Sequence, residues 1–181
     1  MKNEAGEKEL SALRIPLNAI DRVLPPLTGY LDPVHLEELG QLGEVVAPLR
    51  GTFRIVREND CFRVSGEVSG ALILECSRCL RPFREEVFGE FDRLYAVGRD
   101  PSILNRETEL TEEITYLETG LFSPLRLLEE ECILLLPMVP VCKETCPGLC
   151  PSCGAELGKG GCRCEQPTRE SPFAILKRTL V

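Results

Sequence analysis

The sequence predicts an α+β protein whose body is an antiparallel β-sheet or partial barrel, with a packed helix and a cysteine-rich C-terminal segment. Residues 45–98 alternate apolar and polar side chains and are rich in β-branched and aromatic types, which is typical of strands. Residues 123–136 carry the apolar spacing of an amphipathic helix. From residue 139 onward the composition changes to Cys, Gly and Pro. We therefore expect a loose tail at 1–10, the α+β body at 11–138 and a separate tail at 139–181.

Short elements precede the main strands. The apolar alternation of SALRIPLNAI predicts a strand over 11–20, and PPLTGY predicts a turn at 25–30. In DPVHLEELGQLG, an Asp cap, a Pro at the first helical position and a closing Gly predict a short helix over 32–43.

The main sheet follows from three strand-like segments, EVVAPLRGTFRIVREN, CFRVSGEVSGALILEC and REEVFGEFDRLYAV. Asn59 and Asp60 predict a hairpin turn between the first two. Such long neighbouring strands with short turns favour antiparallel pairing. An acidic loop is expected at 100–113, and ITYLETG at 114–120 is expected to return to the sheet.

The packed helix is predicted by local capping and by one apolar stripe. Ser123 can cap its start, Pro124 suits the first position, and Pro137 ends it. A second Ser-Pro start at 171–180, followed by spaced apolar residues, predicts a short terminal helix. The stripe expected to face the core consists of Leu125, Leu128, Cys132 and Leu135 or Leu136.

The composition limits the function classes. The chain has 181 residues and a net charge of −8, no Trp and three Tyr, which disfavours base-stacking platforms. The polar N-terminus does not resemble a signal peptide, and no apolar run reaches the length of a membrane span. We expect a cytoplasmic protein without a membrane partner, in which a content of ten cysteines favours metal ligation over disulfides.

Eight cysteines stand in four close pairs, and this spacing predicts zinc. Two sulfurs from a C-x-x-C turn can face one ion, and zinc binds four such ligands tetrahedrally. In CPSCG, Gly154 permits the left-handed backbone that such a turn needs. A thioredoxin-type redox pair or an iron–sulfur cluster are the alternatives. The pairs are Cys76 and Cys79, Cys142 and Cys146, Cys150 and Cys153, and Cys162 and Cys164.

The number of ions, one or two, stays open at this stage. The economical arrangement is one structural zinc held by the four cysteines of 150–164. Cys142 and Cys146 could then join the CSRC turn at 76–79 in a second site that clips the tail to the sheet. A single mixed site is equally compatible with the spacing. The remaining cysteines, Cys61 and Cys132, are expected to be structural.

Catalytic signals are lacking. GAELGKGG fails the phosphate-loop pattern in its glycine spacing and in the residue after Lys159. The single histidine, His35, has no cysteine near it in sequence, and no catalytic triad can be assembled around it. We therefore expect no enzyme, no catalytic residue and no small-molecule substrate.

Charge is unevenly distributed along the chain. Acidic residues concentrate at 107–131, where we expect a solvated face. From residue 140 to the end there are six basic and four acidic side chains. Basic residues close to the cysteines could contact RNA phosphates. These RNA-binding candidates are Arg78, Arg81, Lys143, Lys159 and Arg163.

These motifs together resemble the YceD family of large ribosomal RNA subunit accumulation proteins. The resemblance rests on LECSRCLRPF at 74–83, LLLPMVPVC at 134–142, the cysteine-rich string at 142–164 and the closing SPFAILKRTL. It implies a non-enzymatic factor needed for 23S rRNA to accumulate, by processing, stabilisation or early subunit assembly, with large-subunit rRNA or a pre-ribosomal particle as partner. Two other functions stay open: an adaptor that binds a ribosomal protein through its acidic loop at 107–118, and a thiol redox sensor.

Overall fold

The computed structural model describes residues 8–99, 114–160 and 162–164. Its body is a curled, mixed β-sheet that forms a half-barrel, and this confirms the predicted α+β class. The helices are α1 (Glu37–Leu42) and α2 (Pro124–Leu135). The strands are β1 (Lys8–Glu9), β2 (Ile15–Pro16), β3 (Val23–Leu31), β4 (Glu44–Val45), β5 (Leu49–Glu58), β6 (Cys61–Glu75), β7 (Pro82–Val97), β8 (Ile114–Leu117) and β9 (Leu121–Phe122).

The long β6–β7 hairpin organises the sheet. Its register runs from Cys61 opposite Ala96 to Glu75 opposite Pro82. The strand order is β1-β3-β5-β6-β7-β8, and β4 pairs with the part of β6 that extends beyond β5. The central pairs are antiparallel as predicted, whereas the edge strands β1 and β8 run parallel to their neighbours. The hairpin therefore carries its closing turn, which holds the CSRC motif, to one end of the sheet.

The core lies between the inner face of the sheet and α2. Phe122 packs edge-on against Phe53 and Tyr95, with ring centroids 5.8 and 5.3 Å away. Helix α2 lies close to the sheet because Gly51 of β5 has no side chain: a Cβ there would meet Leu128 at 2.6 Å. This close packing fixes where α2 ends and where the tail begins.

Several local predictions are confirmed. Asp32 Oδ1 accepts the Val34 N–H at 3.1 Å, and a 3-10 turn there leads into α1. Ser123 Oγ accepts the Arg126 N–H at 3.5 Å and caps α2. Asn59 adopts a positive φ of 55° in the hairpin turn between β5 and β6.

Three predictions for the N-terminal part are wrong. PPLTGY is not a turn but belongs to β3; its prolines lack N–H groups, and the pairing register shifts between Leu24 and Leu27. The strand expected over 11–20 is limited to Ile15–Pro16 and is followed by a 3-10 turn. The end of the expected loose tail is ordered, because β1 pairs with β3 and Leu10 is buried.

The stripe of α2 and its acidic residues also differ from the prediction. Leu128 and Cys132 face the core as expected, but Leu127 is buried and Leu135 is 40% exposed. Glu129 and Glu131 were expected on a solvated face, yet they are only 8% and 6% exposed. Both are buried because they have specific polar partners.

Those partners join distant parts of the body. Glu129 accepts the backbone N–H groups of Glu38 and Leu39 at 2.9 and 3.0 Å, and so caps α1. Glu131 forms a two-point ion pair with Arg93 of β7. The two carboxylates thus fix α2 to α1 on one side and to the sheet on the other.

Within the described residues, no helix has the length and apolar character needed to cross a membrane. The acidic loop at 100–113 and the terminal helix at 171–180 lie outside the described residues.

Candidate metal centres

The first candidate centre, group A, joins the end of the sheet to the tail. Cys76 and Cys79 lie in the turn between β6 and β7, and Cys142 and Cys146 lie in the segment that follows α2. The four sulfur atoms lie within 4.8 Å of one another. The Sγ–Sγ distances are 3.9 Å for Cys76 and Cys146 and 3.8 Å for Cys79 and Cys142. Group A could hold a metal ion between two segments far apart in sequence.

Hydrogen bonds hold the two halves of group A together without any ion. The Ser77 N–H donates to the Pro140 carbonyl at 2.8 Å. The Arg78 guanidinium donates to the carbonyls of Glu144 and Cys146 at 2.9 and 3.1 Å. The tail is therefore docked on the turn by its backbone, and the four sulfurs converge as a consequence.

The second candidate centre, group B, lies entirely in the tail. It consists of Cys150, Cys153, Cys162 and Cys164, whose sulfur atoms also lie within 4.8 Å of one another. Cys153 and Cys162 have an Sγ–Sγ distance of 3.7 Å, and the Cys164 N–H donates to the Cys162 sulfur at 3.4 Å. Cys150 is buried, whereas Cys153 and Cys164 are exposed. Group B could hold a second ion, closer to solvent than group A.

Both C-x-x-C turns fold in the same way. In each, the residue four positions after the first cysteine donates its N–H to that cysteine's carbonyl, and the first cysteine donates its N–H to the carbonyl five positions on. The distances are 2.9 and 2.9 Å in the turn of Cys76, and 2.8 and 2.8 Å in that of Cys150. The residue after the second cysteine is left-handed in both, with φ of 59° at Leu80 and 72° at Gly154. The left-handed backbone predicted at Gly154 is confirmed.

The thiol pKa values fit a cation site. The backbone N–H of Cys142 is the main cause that lowers the pKa of Cys76 to about 6. The backbone N–H of Cys153 does the same for Cys150, to about 6. Burial raises the pKa of Cys142 to about 12, and the neighbouring Cys153 raises that of Cys164 to about 12. A cation bound in either group would favour the thiolate form of all four cysteines and displace their protons.

An ion-pair network links the two groups. The backbone N–H and the guanidinium of Arg81 lower the pKa of Cys79. The same guanidinium pairs with Glu156, which also pairs with Lys159 at 2.9 Å. The chain between the groups passes so close to the first turn that a Cβ on Gly148 would meet the Arg78 carbonyl at 3.0 Å. The two centres therefore lie next to each other and are linked by these contacts.

The eight predicted ligands are all brought together, in two separate groups of four. The described structure has no single mixed site among these residues, which was one of the open alternatives. Cys132 is buried against the core, and burial raises the pKa of its thiol to about 11. Sequence reasoning missed Glu156, whose contacts depend on tertiary packing. The signal for Leu80 was available, because its position matches that of Gly154 in the second turn.

The five basic candidates lie around these groups in different situations. Arg78 and Arg81 are exposed at their tips, but their guanidinium groups have the partners described above. Lys159 shares Glu156 with Arg81. Lys143 and Arg163 are exposed, and neither pairs with a carboxylate within the described residues.

Comparison with known proteins gives the family. The model of the family described as large ribosomal RNA subunit accumulation protein YceD matches residues 64–178, well over half of the chain. The chain belongs to the YceD family. The matched range includes the β6–β7 hairpin, α2 and both cysteine groups, so the candidate centres lie inside the YceD unit.

Curated relatives of this YceD chain include uncharacterised proteins of mycobacteria. One from Mycobacterium bovis is 35% identical over 94 residues, 52% of this chain and 44% of that protein. One from Mycobacterium leprae is 26% identical over 111 residues, 61% of this chain and 50% of that protein. The chain thus spans about half the length of the curated relatives it matches. No solved structure matches it significantly.

Proposed function

We propose that this chain is a non-enzymatic ribosome-biogenesis factor, required for 23S rRNA to accumulate through processing, stabilisation or early large-subunit assembly. Membership of the YceD family supports this role, because the family is described as large ribosomal RNA subunit accumulation proteins. One structural observation carries the physical argument. Group A joins the tail to the sheet end, and the hydrogen bonds of Ser77 and Arg78 to the tail backbone bring the turn that carries Arg78 and Arg81 next to the segment that carries Lys143.

The metal proposed for both groups is zinc, in a structural role. Four thiolates in a compact cluster fit tetrahedral zinc, and the N–H groups directed at the sulfurs offset the negative charge of such a site. An iron–sulfur cluster uses the same ligands. The paired turns with a left-handed fifth residue favour a closed structural zinc site. A bound ion would supply folding free energy and no chemistry of its own.

Large-subunit rRNA is the proposed partner. The five basic candidates would contact its phosphates. Lys143 and Arg163 are the strongest, because both are exposed and have no carboxylate partner among the described residues. Arg78, Arg81 and Lys159 would contribute while also holding the tail in place. A phosphate contact needs positive charge and reach but no base-stacking or base-specific geometry, which suits an aromatic-poor chain whose basic side chains stand near the cysteines.

Crosslinking in cells tests this function. The double variant Lys143→Glu, Arg163→Glu should reduce rRNA recovered with the chain about tenfold, because two phosphate contacts become repulsive. The control is Arg22→Glu, an exposed cation before β3. It lies near the opposite end of β6, which spans 15 residues or roughly 50 Å. Equal rRNA recovery from both variants would remove the phosphate-contact proposal.

The adaptor function would give a different crosslinking result. The label would then appear on a basic ribosomal protein, and removal of the acidic residues at 107–118 would abolish it while the double charge reversal would not. No described contact favours this alternative over rRNA binding.

Organisation and location remain proposals as well. We propose a body at 11–138, which residues 8–10 extend through β1 and the buried Leu10, and a zinc-binding tail at 139–181 that ends in a short helix. We also propose that the protein acts in the cytoplasm, where 23S rRNA is processed.

A further inference from the structure

We propose that group B is an oxidation site, at which Cys153 and Cys162 form a reversible disulfide when a peroxide is present, while group A is protected. This inference rests on the zinc loading given under the proposed function. It assigns different roles to two centres that share ligand type and turn geometry. It is carried by the difference in their exposure and their anchoring.

Exposure separates the two groups first. In group A, Cys76, Cys79 and Cys146 are 0%, 5% and 4% exposed, and apolar side chains, among them Phe83 and Val141, cover them; Cys142 alone of this group is partly exposed. In group B, Cys153 and Cys164 are exposed, and Cys162 is partly so. Oxidants react with thiolates that they can reach, so the sulfurs of group B are the accessible targets.

The two groups also differ in how firmly they are held to the body of the protein. Group A is built on the end of the β6–β7 hairpin, and its halves are joined by the hydrogen bonds of Ser77 and Arg78 to the tail backbone. Opening it requires the tail to leave the sheet. In group B, the hydrogen bond found for the last arm is the local one from the Cys164 N–H to the Cys162 sulfur. Among residues 8–99, 114–160 and 162–164, no hydrogen bond joins that arm to the body, so group B should open more easily.

The chemistry balances with hydrogen peroxide as the oxidant. The Cys153 thiolate attacks one peroxide oxygen, the O–O bond breaks, hydroxide leaves and a sulfenic acid forms. The Cys162 thiolate, whose sulfur lies 3.7 Å away, then attacks that sulfur; the S–O bond breaks and a second hydroxide leaves. Two sulfurs lose two electrons in total, and the peroxide gains them. Group B loses two of its four ligands and therefore its ion.

The consequence is a local opening rather than unfolding. Group A keeps the tail docked on the sheet, whereas the loop that carries Lys159 and Arg163 loses the ion that cross-links its cysteines. A thiol reductant would restore both thiolates and allow zinc to bind again. The basic surface proposed to meet rRNA would thus respond to peroxide while the body stays folded.

Zinc release and disulfide mapping test the inference on the full chain. Zinc per chain is counted first, dilute hydrogen peroxide is added, and a chromogenic chelator follows release while mass spectrometry maps disulfides. We expect one ion to leave at least about tenfold faster than the other, since group A must first open. The first disulfide should join Cys153 and Cys162.

Two variants serve as controls. Cys153→Ser, Cys162→Ser should begin with one ion and lack the fast phase. Cys61→Ser removes a partly exposed thiol that belongs to neither group, and the fast phase should persist. If the double variant does not fold, the disulfide map of the unmodified chain decides alone.

The outcomes are distinct. Equal release of both ions, or a first disulfide between Cys79 and Cys142, would overturn this inference and leave the zinc proposal intact. A chain purified without any zinc would refute the zinc proposal and this inference with it. Fast release with the expected disulfide supports both.

Discussion

At the residue scale, Leu80 shows what the first cysteine turn demands of its sequence. Its φ of 59° lies in the left-handed region, which costs an L-residue roughly 1–2 kcal/mol. The second turn has Gly154 at the same position and avoids that cost. Leu80 is 55% exposed, so little packing offsets it. The left-handed backbone at Leu80 is part of the turn that directs the sulfur atoms of Cys76 and Cys79 at one point.

Leu80→Gly should therefore leave the free energy of unfolding unchanged or raise it by about 1 kcal/mol, because glycine adopts this backbone freely. Leu80→Ile should lower it, since a β-branched residue is disfavoured at positive φ. Thermal unfolding of zinc-loaded protein measures both. A clear loss of stability in Leu80→Gly would mean that the leucine side chain matters more than the backbone.

Glu129 gives a second prediction at this scale. Glu129→Ala should lower the free energy of unfolding by about 2–3 kcal/mol, because it leaves the N–H groups of Glu38 and Leu39 without their acceptor. The matched control is Glu130→Ala on the next position, which removes an exposed pair with Arg126 and should cost no more than about 0.5 kcal/mol. Equal effects in denaturant titrations would contradict the capping role.

At the element scale, the contact between α2 and the sheet decides where the tail begins. Glycine lets the helix approach β5, and the buried Glu131 ties the same helix to Arg93 of β7. The segment that leaves α2 then reaches the hairpin turn within a few residues, where the Pro140 carbonyl accepts the Ser77 N–H. The position of group A therefore follows from helix–sheet packing.

Gly51→Ala should lower the free energy of unfolding by about 1–3 kcal/mol, because the added Cβ would lie 2.6 Å from Leu128. Gly40→Ala is the control, since a Cβ on this α1 residue meets nothing within 4 Å; it should be neutral or stabilising by up to about 1 kcal/mol. Adding Leu128→Ala to Gly51→Ala should give a non-additive cycle. Additivity would show that the two residues do not compete for space.

At the scale of the whole molecule, the two cysteine groups are positioned so that a metal ion in each would cross-link parts of the chain. Group A joins segments 63 and 70 residues apart, and group B closes a loop within the tail. The ion pairs of Glu156 with Arg81 and Lys159 connect them. The free energy of binding such ions would become folding free energy of the tail, because the ligands are arranged only in the folded chain.

Acid should release the metal, and the direction follows from the thiols. The pKa values of Cys76 and Cys150 are lowered to about 6, so their thiolates are favoured by the fold at neutral pH. Their contribution is fully present above the ordinary thiol pKa and is lost as pH falls through about 6, when protons compete with the ion. Zinc retained after dialysis should therefore be highest at alkaline pH and decline as the pH falls towards and below about 6. Retention that is unchanged down to pH 4 would contradict thiolate ligation.

The sequence predicts those features of the structure that depend on residues close to one another along the chain. The C-x-x-C spacing, the caps at Asp32 and Ser123 and the left-handed Gly154 are local, so they could be read directly. The pairing of the CSRC turn with the tail could only be offered as one of several arrangements. It depends on the register of a hairpin and on the path of the chain after α2, which no short motif encodes.

The predictions that failed concern residues whose structure depends on distant parts of the chain. The prolines of PPLTGY are typical of turns, but long-range pairing with β5 takes them into a strand at a register shift. Glu129 and Glu131 look like surface residues until their partners from α1 and β7 are in place. Tertiary contacts overrode local preference in each case.

The central claim is that the chain holds two separate zinc ions, and zinc counting on paired variants tests it most directly. The unmodified chain should carry about two ions, and the variants Cys76→Ser, Cys79→Ser and Cys150→Ser, Cys153→Ser should each carry about one, because each removes half of one group's ligands. A single ion in the unmodified chain that both variants lose would mean one mixed site and would contradict the account.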